Sequence, residues 1–144
     1  MLLFGMILGW MIVIGYLLTV SNYFVKFINR KMIMGMPKDA PFRIKYLVYM
    51  RFMVSYHRFF ALFTILAMIT HLVVQYLYWG LYLTGVIAAS LLVIQGSLGI
   101  YGHYVKKKKS GPWLYAHRTV AILLFVVVIF HIVTAKFDLI TFTL

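Results

Sequence analysis

The sequence predicts an all-α integral membrane protein, a four-helix bundle with both termini outside. Three observations carry that expectation. Residues 1–25 contain no Lys, Arg, Asp or Glu, and neither do residues 59–105. About 20 such residues cross a bilayer as a helix, so the second stretch is long enough to cross twice. The 14 basic residues are the third: all but Lys136 lie in two clusters, Lys26 to Arg58 and Lys106 to Lys109 with Arg118. Basic residues flanking apolar spans mark the cytoplasmic side.

Helix one is expected at about residues 2–25, ended by Lys26, Asn29 and Arg30. It lacks a basic leading region and a small-residue cleavage site, so it reads as a retained helix and not as a signal peptide. The segment Gly35-Met36-Pro37-Lys38-Asp39-Ala40-Pro41 is a breaker cluster. Residues 42–54 mix apolar and basic side chains and read either as an interfacial segment or as an inward extension of helix two. Helix two proper is expected at about 52–78. Tyr76, Tyr78, Trp79 and Tyr82 around Gly80 resemble an aromatic belt at a tight outer turn. Helix three is expected at about 82–105, stopped by four lysines and Ser110-Gly111-Pro112, and helix four at about 113–135. The whole, residues 1–144, reads as one transmembrane domain.

Composition excludes several classes. With 65% hydrophobic residues and only Asp39 and Asp138 acidic, the chain cannot build a charged soluble surface. Its net charge of +12 sits at span ends, which fits contact with membrane lipid headgroups and not nucleic acid. Without cysteine there are no disulfides, thiolate metal sites, iron–sulfur clusters or covalently attached haem.

Two stretches repeat one another where chemistry is concentrated. His57-Arg58 is followed by His71, and His117-Arg118 by His131, each pair 14 apart and the second copy 60 positions after the first. On a helix, 14 residues turn through about 1400° and rise about 21 Å, so each pair shares nearly one face. The expected topology runs helices two and four in the same direction, which pairs His57 with His117 near the inner surface and His71 with His131 nearer the outer one. Intramembrane histidine is costly and usually functional. A lone histidine in a span reads most simply as an interhelical hydrogen bond. Four in two equally spaced pairs point instead to two stacked bis-histidine metal centres, with haem the obvious group. Such centres have both axial positions filled and transfer electrons.

Neighbouring residues extend this pattern. Arg58 and Arg118 adjoin the inner histidines and suit haem propionates, since arginine pairs bidentately with carboxylates, although both also serve as inside-facing topology signals. Gly85 and Gly99 on helix three are also 14 apart, which suits close approach of a flat macrocycle or of another helix.

The paired histidines resemble those of membrane cytochromes b: the dihaem core of the quinol-oxidising cytochrome b family and the ferric-reductase-like transmembrane domain. The resemblance covers about residues 57–131. It implies two haem b groups, the inner held by His57 and His117 and the outer by His71 and His131, with Gly85 and Gly99 as haem-contact glycines. The chain carries neither the Pro-Glu-Trp-Tyr quinol-site motif of the first family nor the nicotinamide–flavin domain of the second, so the resemblance is to the haem core alone.

The function expected is that of an electron-transfer subunit in a bacterial or archaeal cytoplasmic membrane, linking a flavoprotein or iron–sulfur subunit to membrane quinone. His103 with Tyr104, at the inner end of helix three, is the candidate quinone site, since quinone chemistry needs a proton-exchanging group. Asp138 is a weaker candidate at the outer end of helix four. Two alternatives stand beside this: a ferric-reductase-like enzyme acting on an extracellular acceptor, and a non-redox structural membrane subunit. A metal transporter would need acidic or thiolate ligands along its path, and the core has none.

Overall fold

The computed structural model describes residues 2–107 and 109–137. It contains four α-helices: α1 Leu2–Lys31, α2 Pro41–Tyr78, α3 Leu83–Ile100 and α4 Pro112–Phe137. A π-helical turn, Tyr101–Val105, continues α3, and a 3-10 turn, Ile33–Gly35, follows α1. All four helices are long and apolar enough to cross a membrane. Leu3, Trp10, Tyr76, Leu77, Ile122 and Val126 are each more than half exposed, as lipid-facing side chains are and as a soluble surface seldom is.

The helix boundaries differ from the sequence expectation mainly on the basic side. α1 runs past Val25 to Lys31, and α2 begins at Pro41 instead of near residue 52. The mixed segment 42–54 is therefore an extension of α2. Lysine and arginine are good helix formers, so charge ends an apolar run without ending the helix. Proline at the first helical position is preorganised for it, and no glycine or proline follows until Gly80. Gly80 takes φ 82°, a left-handed conformation that glycine adopts freely. At 38 residues α2 is about 57 Å long, against about 30 Å of hydrocarbon core, and ordinary tilts do not absorb the difference. Part of α2 must lie outside the hydrocarbon.

The chain divides into two compact units, one ending at Met68 and the other starting at Ile69. In the first, α1 and the leading part of α2 pack antiparallel. Tyr46 Oη donates to the Val25 carbonyl at 2.9 Å, His57 meets Thr19, and Gly15 meets Thr64 and Phe63. As the position on α1 falls, that on α2 rises. A Cβ added at Gly15 would stand 2.5 Å from Thr64 Oγ1, so the glycine sets how closely the helices approach. The Arg43 guanidinium donates to the Met36 carbonyl and ties the connecting turn to α2.

In the second unit α3 and α4 form an antiparallel pair in constant register. Thr84 and Gly85 meet His131, Gln95 and Gly99 meet His117, and Gly102 meets Trp113. The seam has a seven-residue spacing: Gly85, Leu92 and Gly99 on α3 against His131, Leu124 and His117 on α4. Leu92 and Leu124 are buried, the latter 1% exposed, and hold the middle of the seam as coiled-coil seam positions do.

The π-helical turn ends α3 beneath an aromatic ring. Trp113 lies across the Gly102 backbone, where any Cβ would clash, and its Nε1 donates to the Lys109 carbonyl at 2.8 Å. Gly102→Ala is expected to lower stability by about 1–3 kcal/mol, because displacing the ring outweighs the gain in helix propensity. Gly35→Ala, where no atom lies within 4 Å of the added carbon, should be neutral or slightly stabilising. Thermal unfolding of the two variants in detergent checks the contrast.

Candidate functional site

The first unit fixes His57. Its Nδ1 lies 3.1 Å from the Thr19 carbonyl oxygen. A carbonyl only accepts, so Nδ1 carries the proton and Nε2 keeps its lone pair, the form in which imidazole binds a metal. Thr19 is itself steadied by a 2.8 Å bond from its hydroxyl to the Gly15 carbonyl. Thr64, 2% exposed, lies seven residues from both His57 and His71 on α2 and donates to the Phe60 carbonyl. It bonds along its own helix, so it satisfies its hydroxyl without drawing on either histidine.

The second unit fixes His131 by a chain of donors. Nδ1 of His131 is 2.9 Å from Thr84 Oγ1, which is 3.4 Å from Thr134 Oγ1, and Thr134 donates to the His131 carbonyl at 3.1 Å. With Thr134 donating to the carbonyl, Thr84 donates to Thr134 and accepts from His131 Nδ1–H. The chain of bonds begins and ends on His131. It leaves Nε2 as the lone-pair nitrogen, the same arrangement that Thr19 imposes on His57 by a different route. Gly85 makes the fit possible: a Cβ there would stand 3.0 Å from His131 Cε1. The Tyr82 ring lies edge-on, with centroids 6.5 Å apart. His71, at the end of α2 in this same unit, is within electrostatic range of His131.

His117 is held differently. Its Nε2, not Nδ1, faces the side-chain amide of Gln95, at 3.2 Å. Gly99 stands beside the ring, where a Cβ would reach 3.6 Å from Cε1, an ordinary contact. The Trp113 ring centroid is 6.3 Å away.

The two α3 glycines singled out in the sequence therefore each face an α4 histidine, Gly85 tightly and Gly99 loosely. Arg58 and Arg118 are exposed on the helices that carry His57 and His117. His103 lies in the π-helical turn, its ring edge-on to Tyr104 at 4.7 Å, and Tyr104 is exposed. π-Turns within α-helices are often found at functional sites. Lys106 sits over the neighbouring Tyr101 ring at 5.6 Å. Asp138 lies outside the described residues. Among the described residues no three of His, Cys, Asp or Glu gather around one point, whereas a bis-histidine centre asks for two protein donors at each iron.

Sequence reasoning missed Thr19, Thr84, Gln95 and Thr134, which set the ring orientations. The available signal was polarity inside apolar spans: Thr84 directly precedes Gly85, and Thr134 follows His131 by one turn.

Thr84→Val keeps the shape and removes the hydroxyl. The variant should lose about 0.6–2 kcal/mol of stability and release His131 from a single tautomer, while Thr84→Ser should retain both. Thermal unfolding together with ¹⁵N ring shifts of His131 reads the two effects. Comparison with protein-family models, with curated proteins and with solved structures gives no match to this chain.

Proposed function

We propose that the protein is an integral-membrane dihaem b-type cytochrome subunit, carrying electrons between a redox partner and membrane quinone. The observation that carries the reading is the doubled His-x13-His spacing, with Nδ1 protonated and Nε2 kept as a lone-pair donor at both His57 and His131. Metal-bound histidines commonly donate their other ring nitrogen in this way, and the partner orients the ring and raises its basicity. The proximity of His71 to His131 supports the second layer. The layer of His57 and His117 follows from the repeated spacing alone.

Haem, held by His57, His71, His117 and His131, would supply one-electron redox chemistry. The chain's own residues do the rest. Thr19 and the Thr84–Thr134 pair hold two imidazoles in the ligating tautomer. Gly85 and Gly99 give the rings room, and Arg58 and Arg118 offer charge to carboxylates beside His57 and His117. His103 and Tyr104 lie in a π-helical turn, one ring half-buried and the other exposed, as a group exchanging protons with a quinone would need to be. Without a flavin or nicotinamide fingerprint the chain depends on a flavoprotein or iron–sulfur partner to exchange electrons. The membrane is the cytoplasmic membrane of a bacterium or archaeon on this reading.

A second reading has a specific observation behind it. Both α4 histidines bond to α3 side chains, as they would in a structural subunit where histidines only join helices. An absorption spectrum with haem stoichiometry separates the two. Two low-spin haem b per chain are expected, and His71→Ala or His131→Ala should each remove the same one. A colourless protein, or one haem or fewer in a fully loaded preparation, would favour the structural reading. If His71→Ala and His117→Ala abolished one and the same haem, the layer pairing would be wrong.

The clusters Lys26 to Arg58 and Lys106 to Arg118 also orient the chain, with basic segments inside and both termini outside. Alkaline phosphatase, active only outside, should be active when fused after Leu144. A cytoplasmic reporter active at that position would reverse the assignment of inner and outer layers.

A further inference from the structure

The two α4 histidines are engaged by α3 through opposite ring nitrogens. Thr84 holds Nδ1 of His131, which leaves Nε2 available. Gln95 holds Nε2 of His117 at 3.2 Å. An imidazole binding iron through Nε2 must give that nitrogen to the metal, so a bond to Gln95 and a bond to iron exclude one another. The amide's two ends are interchangeable without altering this conclusion. With its nitrogen toward the ring it donates to the Nε2 lone pair, and with its oxygen toward the ring it accepts from Nε2–H. In both cases the ligating position is in use.

Resting on the haem reading above, we propose that Gln95 is a displaceable cap on His117, so that the two histidine layers take up haem in order. The layer of His71 and His131 fills first. The layer containing His117 fills only as Gln95 is released. Two features suit a cap that leaves. Gln95 Oε1 is buried without a hydrogen-bond partner, so the amide is only half satisfied where it stands and loses little by moving. Gly99, one turn further along α3, has no side chain to press on the ring, and even a Cβ there would make only ordinary contact, 3.6 Å from Cε1. Nothing comparable loosens His131, where Gly85 is tight and the Thr84–Thr134 chain is closed.

The cap has a second role before haem arrives. It holds the His117 ring against α3, so the histidine waits in place within an apolar helix with its Nε2 engaged. Gln95 is thus a positioning residue that acts through His117.

Titration of the haem-free chain in detergent with haemin tests the order of uptake. Wild type should bind two haemins in two resolved phases, the tighter lost in His71→Ala and the weaker lost in His117→Ala. Gln95→Leu should tighten the weaker phase about 3- to 20-fold, the value of one interhelical hydrogen bond, and leave the tighter phase unchanged. Gln95→Ala should do the same, which guards against a packing fault in the leucine variant. A weaker phase unchanged or loosened in both variants overturns the cap, and so does a single phase in wild type. Ring ¹⁵N shifts of His117 in the haem-free chain give a readout that needs no haem. They should report an engaged Nε2 in wild type and a changed tautomer balance in Gln95→Leu, and identical shifts overturn the cap. Should haemin bind to none of the proteins, the haem reading and the order of uptake fall together, while the ring shifts still decide whether Gln95 caps His117.

Discussion

An imidazole lying against a helix backbone needs a missing side chain opposite it, and the α3–α4 pair is organised around that requirement. Gly85 faces His131 so closely that a single carbon added there would press on the ring. Antiparallel helices with matched seven-residue spacing then bring Gly99 beside His117 more loosely, with buried Leu92 and Leu124 at the intervening positions. Once the glycines admit the rings, the nearby polar groups of α3 decide how each ring is turned. The seam is a steric device first and a hydrogen-bonding device second.

The hydrogen bonds matter because lipid offers nothing in exchange. In water a histidine without a protein partner is solvated at little cost. Within a bilayer a histidine must find its partners in the protein, and the chain spends threonines, a glutamine and a backbone carbonyl on one ring nitrogen of each of three histidines. A backbone carbonyl and a hydroxyl that passes its own proton onward both dictate that Nδ1 is protonated. A carboxamide dictates nothing, since either of its ends can face the ring. The asymmetry between His131 and His117 follows from that difference in chemistry.

The four spans, and the matched 14-residue intervals of Gly85 and Gly99 on α3 and His117 and His131 on α4, were legible in the sequence because apolar runs, charge clusters and a repeated interval each have a direct structural meaning. The start of α2 was not. Residues 42–54 carry lysines and arginines among aromatics, and hydropathy cannot separate a helix leaving the membrane from a segment lying on it. Pro41 and the lack of any breaker before Gly80 held the answer. The seven-residue seam was hidden because α3 and α4 are apolar all round, so Leu92 and Leu124 look like any other leucine. Gln95 showed as a polar residue in a span, but its partner depends on the α3–α4 register, which only tertiary structure supplies.

The length of α2 has a consequence for biogenesis. Between Arg58 and Gly80 lies a stretch of about 20 uncharged residues, one bilayer's worth, and this is the piece that insertion machinery would recognise. The residues from Pro41 to Arg51, three of them basic, belong to the same rod yet are poorly suited to lipid tails, so on leaving the ribosome they have only intrinsic propensity to keep them helical. Such a segment is marginal by itself. It becomes secure when α1 lies along it, through Tyr46 on Val25 and His57 on Thr19. The ring orientation of His57 is therefore a late product of assembly, set only once α1 and α2 have both been delivered and lie side by side.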